Sequence, residues 1–233
     1  MKFNELAWAS VCFYYRSAGD KRYSVIMRDH EFLAKIRYNP QDVSLKEFEE
    51  KAILGFIDIQ NYDLLVEHKL TENILTKIKN LQDELSMLQG LSLINCNFDE
   101  QRVVEGIDRI YSELCVNGLW ITGASKIAHL LNDKLLPPVS REIAKHFSIQ
   151  YQTGFTPWLR RMQWDVQEAT DDFYKQGLEE TPSQFLSDKL GYIALGYEKS
   201  LAKFADEYYW LCYSDNLPIP PRWIPQLSGE AVR

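Results

Sequence analysis

Apolar residues recur every three or four positions along most of this chain, which is the spacing of an amphipathic α-helix. The clearest case begins at Thr71, a capping residue, and ends at Gly90, which supplies a stop. Its apolar face consists of Ile74, Leu75, Ile78, Leu81, Leu85 and Leu88. Such a stripe is typical of a helix that packs in a protein core, although a partner-binding face has the same pattern.

Capping residues predict where other helices in the first half of the chain begin. An apolar first helix spans residues 3–16, and Ser44 and Glu47 form a capping box at the start of another. Asp99 is in position to cap a third helix, which Gly118 would end. These signals predict that the first half of the chain is a series of helices.

The second half shows the same kind of signal. Thr156 and Thr181 each precede a proline, a combination typical of a helix start, and a last helix covers residues 198–213. Residues 217–233 are rich in proline and must be extended, because proline fixes φ and lacks an N–H donor. We expect this tail to pack back on the body of the protein; a ligand for an aromatic groove is the alternative.

The predicted fold is mainly all-α, with any sheet confined to residues 1–40. There the apolar run at residues 23–27 is too short to separate a strand from a helix. A chain of 233 residues is long enough for one large domain or two small ones. Because no linker or composition break divides it, we predict a single two-lobed helical domain over residues 1–233, with residues 217–233 as an extended tail.

Charge and composition narrow the class of protein. The net charge of −7 argues against a protein that coats nucleic acid nonspecifically, because such binding depends on a basic surface. The four cysteines are scattered without a C-x-x-C pair, so we expect reduced thiols rather than a zinc or iron–sulfur site. No signal peptide or membrane span is evident, which predicts a cytoplasmic protein. Histidine spacing and the absence of phosphate-loop motifs give no support to a metal or a cofactor.

One segment, residues 118–147, has an order that core packing alone does not explain. Four small residues stand where the chain is predicted to turn into a helix: Thr122, Gly123, Ala124 and Ser125. Unpaired N–H groups in the first turn of a helix bind anions, and small side chains admit a phosphate. Lys126 and Arg141 supply positive charge, and residues 118–147 as a whole have four basic residues against two acidic ones. The alternative is an ordinary helix start with a Ser or Thr cap.

The same segment resembles a known family. Residues 120–128, W-I-T-G-A-S-K-I-A, resemble the hairpin of the helix-hairpin-helix DNA glycosylase superfamily, in which Lys126 falls at the position of the nucleophilic lysine. Residues 135–141, L-L-P-P-V-S-R, resemble the downstream segment that ends in the catalytic aspartate, and Ser140 occupies that position. The two motifs together are more similar still to an uncharacterised bacterial group, distantly similar to the glycosylases, that usually has Asp there.

The chain departs from the glycosylase pattern at the places that matter for catalysis. The resemblance covers about thirty residues, the turn has one glycine where the glycosylases usually have two, and the spacing from Lys126 to Ser140 is shorter than theirs. Serine cannot supply the negative charge that stabilises a cationic sugar. Either Asp133 or Asp165 replaces the aspartate or the activity is absent, and we favour absence.

Three functions are therefore open. The first is a protein that binds nucleic acid, or another phosphate-bearing ligand, weakly through residues 122–126 and Arg141 and has lost glycosylase activity. The second is a helical interaction or structural protein that binds a protein partner and no nucleic acid. The third is an active glycosylase or lyase, with Lys126 and the Ser140 position as the candidate catalytic residues. His129, on an apolar helix, is expected to be satisfied by a neighbouring carbonyl group.

Overall fold

The computed structural model describes residues 1–17, 19–57, 68–116, 119–150, 154–215 and 217. Within these ranges the protein is helical and has no strand, which confirms the all-α prediction. The helices are α1 (Phe3–Arg16), α2 (Gly19–Met27), α3 (His30–Tyr38), α4 (Leu45–Phe48), α5 (His68–Asn80), α6 (Gln82–Met87), α7 (Gln101–Leu114), α8 (Trp120–Leu131), α9 (Arg141–His146), α10 (Phe155–Tyr174), α11 (Pro182–Lys189) and α12 (Leu201–Tyr213).

The first helices follow the predicted caps. Helix α1 has the predicted bounds, and residues 23–27 belong to helix α2 rather than to a strand. The Ser44 hydroxyl accepts a hydrogen bond from the Glu47 amide at 3.1 Å, so the predicted cap of α4 is confirmed. Helix α4 continues directly into a π-helical turn, Glu49–Leu54, a wider turn with hydrogen bonds between residues five apart.

The helix predicted between Thr71 and Gly90 is two helices. Helix α5 starts at His68, so Thr71 lies inside it with its side chain buried and does not cap it. The break falls at Leu81, whose ψ of 13° departs from helical geometry. All six apolar residues of the stripe are buried in the core, and Gly90 has a φ of 80°, as a chain stop requires. The core interpretation of the stripe is confirmed.

The predicted cap at Asp99 is also displaced. Glu100 is the N-cap of α7, and Asp99 accepts a hydrogen bond from Arg160 at 2.7 Å instead. The helix ends at Leu114, and Gly118 lies outside the described residues. An acidic side chain near a helix start thus serves a neighbouring helix rather than its own.

Helices of the second half begin close to the predicted positions. Helix α10 starts after Gly154, whose φ of 95° suits glycine, and the Thr156 hydroxyl donates to Asp108 at 2.7 Å rather than capping the helix. Thr181 caps α11 as predicted, and Ser200 caps α12. The last helix therefore begins a little later than the apolar pattern indicates.

One continuous hydrophobic core runs through the described residues. Helix α1 packs along α10 and α12, and α7 packs against α8 and α10. The described helices include none with the length and apolar character needed to cross a membrane. The cysteines are free thiols, with Cys96 buried. The two-lobed arrangement stays a prediction, and the predicted tail beyond Leu217 lies outside the described residues.

Candidate functional site

Helix α8 carries the segment that the sequence singles out. The helix begins at Trp120, two residues before Thr122, so the amide of Gly123 and those that follow lie beyond the first turn. Amides beyond the first turn are bonded to carbonyl groups four residues earlier and cannot bind a ligand. Of the predicted anion site at residues 122–126, only the Thr122 amide therefore lies in the first turn, and the site stays a prediction.

Packing explains two of the small residues. A Cβ atom at Gly123 would lie 2.6 Å from Cδ1 of Leu119, a fully buried side chain one helical turn earlier. Ala124 has no exposed surface. Both residues let the start of α8 pack tightly into the core rather than let a phosphate approach.

Ser125 has a structural role. Its buried hydroxyl accepts a hydrogen bond from the Val139 amide at 2.8 Å and donates to the Thr122 carbonyl at 3.0 Å. This pair of bonds fixes the extended segment before α9 against α8, since a buried polar group needs a partner. The Ser125 hydroxyl is thus engaged in these two bonds, and it positions the segment that carries Ser140 against the helix that carries Lys126.

Thr122, Lys126 and Ser140 line one cavity of about 340 Å³, which we call the cationic cavity. The structure therefore brings together Lys126 and Ser140, the two positions that the predicted resemblance to the glycosylases singles out. Its lining consists of Phe13, Ser17, Arg22, Tyr23, Phe56, Thr122, Lys126, Pro138, Val139, Ser140, Lys203, Asp206 and Trp210.

Positive charge dominates this lining. Among the described residues that form it, Arg22, Lys126 and Lys203 are cationic and Asp206 is the single carboxylate. The whole chain carries −7, so the cavity has the opposite sign to the protein around it. A cavity with walls of low dielectric constant concentrates such a field and attracts anions.

Aromatic rings form much of the wall. The rings of Phe13 and Trp210 meet edge to face with centroids 5.2 Å apart. The ammonium group of Lys203 lies 4.3 Å from the centroid of Phe13, and that of Lys126 lies 5.9 Å from the centroid of Phe56. Tyr23 completes the wall, and burial raises the pKa of its phenol well above the usual value. Flat apolar walls with few polar groups are typical of small-molecule sites.

Ser140 serves as a cap. Its hydroxyl accepts a hydrogen bond from the Ile143 amide at 3.1 Å, which caps α9, and lies 2.7 Å from the Ser214 hydroxyl. Arg141, the next residue, is exposed and does not line the cavity. The Ser140 position therefore brings no charge to the cavity, and Arg141 does not contribute to it.

Neither predicted substitute carboxylate reaches Lys126. Asp133 pairs with Arg37 at 2.8 Å, and Asp165 accepts a hydrogen bond from Tyr209 and forms an ion pair with Arg161. Neither residue lines the cationic cavity. The carboxylate that lines the cationic cavity is Asp206, from α12, which the sequence does not predict as a site residue.

Asp206 belongs to a buried cluster of charges that we call the ion cluster: Lys199, Lys203, Asp206 and Glu207. Lys203 lies 2.7 Å from Oδ2 of Asp206 and 3.2 Å from Oε1 of Glu207, and Lys199 lies 2.8 Å from the same Glu207 oxygen. Burial raises the pKa of Asp206 although Lys203 opposes it. The pKa of Glu207 is lowered despite its burial, because two ammonium groups face it.

A sequence signal for this cluster exists. Residues 199–207 are K-S-L-A-K-F-A-D-E, in which Lys199, Lys203 and Glu207 are four residues apart and Asp206 is three residues after Lys203. Lys203, Asp206 and Glu207 therefore share one face of α12, and Lys199 lies just before its start. Opposite charges at this spacing usually form exposed pairs. Here the face that carries them is turned inward, which only the packing of α12 against α1 reveals.

His129 lies beneath the cavity wall. Its Nδ1 is 2.8 Å from the Leu136 carbonyl and its Nε2 is 3.4 Å from the Tyr23 hydroxyl, so the predicted carbonyl partner is confirmed. Nδ1–H is the donor to the carbonyl, and Nε2 accepts from the phenol. Complete burial lowers the pKa of His129 to about 3, so the ring is neutral.

A larger cavity of about 780 Å³ lies elsewhere in the structure, and we call it the hydroxyl-rich cavity. Besides the paired Arg37 and Asp133 it contains the amides Asn95 and Gln184. Its hydroxyl groups come from Ser92, Thr170, Tyr174, Thr181, Ser183, Tyr197 and Ser200. Cations and carboxylates are equal in number among the described residues that line it, with Lys134 and Glu198 as the second pair of opposite charges.

Comparison of the chain with protein-family models, with curated proteins and with solved structures found no match. A functional argument for this protein therefore depends on the chemistry of its own residues.

Proposed function

We propose that this protein binds the phosphate groups of a nucleic acid weakly in the cationic cavity and lacks glycosylase activity. The observation that carries the proposal is the sign of the charge. Arg22, Lys126 and Lys203 face one small aromatic cavity in a chain that is acidic as a whole. Lysine and arginine side chains are the usual contacts to phosphate, and aromatic rings stack on the bases of single strands.

The absence of glycosylase activity follows from Ser140. Its hydroxyl is neutral and is occupied by the cap of α9 and by Ser214. A lysine nucleophile needs a carboxylate that stabilises the cationic sugar, and the position that would supply it in the glycosylases supplies none here.

A salt titration with labelled duplex DNA tests the binding. Two or three phosphate contacts predict a slope of about −2 to −3 in a plot of log affinity against log salt concentration. Lys126→Ala should reduce the magnitude of this slope by about one and leave sequence preference unchanged, because a phosphate contact positions the ligand without reading its sequence. Lys134→Ala is the matched control: it removes the same charge from an exposed side chain of the hydroxyl-rich cavity.

Two results would overturn the binding proposal. One is the absence of binding by the wild-type protein at about 20 mM salt, where such contacts are strongest. The other is equal loss in Lys126→Ala and Lys134→Ala. Either result favours the alternative function, a helical interaction or structural protein that does not bind nucleic acid.

An active lyase is a second candidate because of one observation. Asp206 lines the same cavity as Lys126 and is attracted to it, so a carboxylate from α12 stands near the lysine although position 140 has none. Borohydride trapping with DNA that contains an abasic site separates the two functions. We expect no trapped complex, whereas a complex that Lys126→Ala and Asp206→Asn both abolish would establish the lyase.

A further inference from the structure

The hydroxyl-rich cavity differs from most small-molecule sites in the polarity of its walls. Its volume of about 780 Å³ is within the range of ligand sites, roughly 300–1,000 Å³. Such sites are usually lined by apolar side chains, whereas two thirds of the described residues that line this cavity have polar ones. An apolar ligand would leave these polar groups without hydrogen bonds, at a cost in free energy. The walls therefore suit a polar ligand.

The charges of this cavity favour neither an anion nor a cation. Arg37 and Asp133 form an ion pair at 2.8 Å, and Nε of Arg37 donates to the Leu130 carbonyl at 2.7 Å. The other acidic and basic residues that line the cavity, Glu198 and Lys134, are again opposite in charge. A charged ligand would give up its hydration without an excess of the opposite charge to replace it. The cavity is therefore suited to a neutral polar ligand.

Two exposed side chains at one end of the cavity can bond to such a ligand. The Glu198 carboxylate is exposed and accepts from the Ser183 hydroxyl through Oε1 alone, so it has further acceptor sites. Gln184, next in sequence to Ser183, is exposed and accepts no bond from the described residues. Its backbone amide bonds to the Thr181 hydroxyl, which leaves the side-chain amide with two donors and an acceptor for a ligand.

Tyr174 adds an aromatic surface to the same cavity. Its side chain is 49 % exposed, and an edge-to-face contact with Phe173 supports the ring at a centroid distance of 5.3 Å. The face of an aromatic ring is partly negative and attracts the weakly positive hydrogens of C–H groups. A sugar ring has hydroxyl groups at its edge and C–H groups on its faces. One saccharide can therefore use the aromatic ring and the polar groups together.

We propose that the hydroxyl-rich cavity binds a neutral saccharide, with Gln184 and Glu198 bonded to its hydroxyl groups and Tyr174 against a C–H face. A hydroxyl group both donates and accepts hydrogen bonds, so it can pair with an amide as well as with a carboxylate. None of these three residues lines the cationic cavity. The inference therefore goes beyond the proposed function and does not depend on it.

Saturation-transfer NMR on the wild-type protein is the first test. The probes are glucose, galactose, mannose, xylose, maltose and lactose, with cyclohexanol as a six-membered ring that has a single hydroxyl group. We expect the best-bound saccharide to have a dissociation constant of about 1 mM or lower. Cyclohexanol should bind at least about tenfold more weakly, because a site built for hydrogen bonds discriminates against a ligand that lacks them. Saccharide affinity should not change between about 20 and 200 mM salt, since a neutral ligand forms no ion pair.

Two variants place the saccharide in this cavity. Tyr174→Ala and Gln184→Ala each remove an exposed side chain, so the fold should be kept, and each should weaken the best-bound saccharide at least about fivefold. Tyr14→Ala is the matched control for the ring, because Tyr14 is 47 % exposed and lies on α1. Gln176→Ala is the matched control for the amide. Neither control residue lines the cavity, so both variants should bind as the wild type does.

Four results would overturn the inference. The first is that no saccharide binds at about 10 mM, well above the expected constant. The second is that cyclohexanol binds as tightly as the best saccharide. The third is that the control variants lose as much affinity as the cavity variants. The fourth is that Lys126→Ala abolishes saccharide binding, which would place the ligand in the cationic cavity. Phosphate binding is decided separately by the duplex titration.

Discussion

The cationic cavity and the hydroxyl-rich cavity share two helices but differ in how their charges are balanced. Helices α2 and α12 contribute residues to both. In the hydroxyl-rich cavity Arg37 pairs with Asp133 at 2.8 Å, and Glu198 accepts from Ser183 at 2.6 Å. The cationic cavity has three cations for one carboxylate among the described residues that line it. We therefore expect an anion to bind in the smaller cavity, because the charges that line the larger one are balanced.

The largest expected effect concerns the buried charges behind the cationic cavity. Glu207→Gln leaves two buried ammonium groups with less compensation and should lower the free energy of unfolding by about 3–5 kcal/mol. Asp133→Asn leaves one guanidinium, which still donates to the Leu130 carbonyl at 2.7 Å, and should cost about 1–3 kcal/mol. Urea unfolding measures both. Equal losses would mean that the two regions are stabilised in the same way.

The next effect is a pH dependence of stability. In the folded protein the pKa of His129 is about 3, whereas in the unfolded chain a histidine takes up its proton near pH 6.5. The unfolded state therefore binds more protons below pH 6.5. The contribution of His129 is complete above that pH and falls by up to about 1.4 kcal/mol per unit as the pH decreases toward 3.

His129→Gln should flatten this dependence between pH 6.5 and pH 4.5 in urea unfolding experiments. His30→Gln is the matched control, because His30 lines the hydroxyl-rich cavity and is exposed. A slope that His129→Gln leaves unchanged would show that other groups cause the acid sensitivity.

A smaller effect is expected where one hydroxyl holds a wall of the cationic cavity. Ser125→Ala leaves the Val139 amide buried without its partner and should cost about 1–3 kcal/mol. The same variant should weaken phosphate binding, because the segment with Ser140 moves relative to Lys126. Ser183→Ala, at an exposed hydrogen bond of the hydroxyl-rich cavity, should cost less than about 0.5 kcal/mol. Similar losses in the two variants would contradict the structural role of Ser125.

The smallest expected change is a slight gain in stability. The Thr170 hydroxyl, in the hydroxyl-rich cavity, is buried and has no hydrogen-bond partner among the described residues. Thr170→Val removes this polar group and keeps the shape, so unfolding should change by less than about 1 kcal/mol and in the stabilising direction. A decrease in the free energy of unfolding above that size would show that the Thr170 hydroxyl makes a stabilising hydrogen bond. The two cavities would then differ in hydrogen bonding as well as in charge balance.

The sequence predicted the helical class and much of the core, because apolar spacing reports directly on burial. It also singled out Lys126 and Ser140 as a pair of candidate site residues, because both lie in the one short segment that resembles a known family. The contacts of the small residues could not be predicted: Gly123 packs against Leu119 and Ser125 bonds to the Val139 amide, while the anion site at residues 122–126 stays a prediction. Local sequence does not distinguish a glycine that leaves room for a ligand from one that leaves room for a packed leucine side chain.

Residues distant in sequence could not be assigned to the site. Arg22, Lys203 and Asp206 come from α2 and α12, and the packing of those helices brings them to Lys126. The charges along α12 have the spacing of a solvent-exposed helix face, and they are buried because other helices, α1 among them, pack over that face. The sequence therefore indicates Asp133 or Asp165 as the replacement carboxylate, but both residues pair with arginines elsewhere.

The π-helical turn at Glu49–Leu54 leads directly to one residue of the wall of the cationic cavity. The Ile57 amide bonds to the Ala52 carbonyl at 3.2 Å, five residues earlier, so the wide turn extends to Phe56, which lines the cationic cavity. A π turn holds one residue more than an α turn over the same length. Deletion of a single residue here would let the turn close as regular α-helix over the same length, so Phe56 would keep nearly the same orientation, whereas the same deletion in a regular helix would rotate the following residues by about 100°. The position of Phe56 in the cavity wall is therefore less sensitive to the number of residues in this turn than it would be in a regular helix.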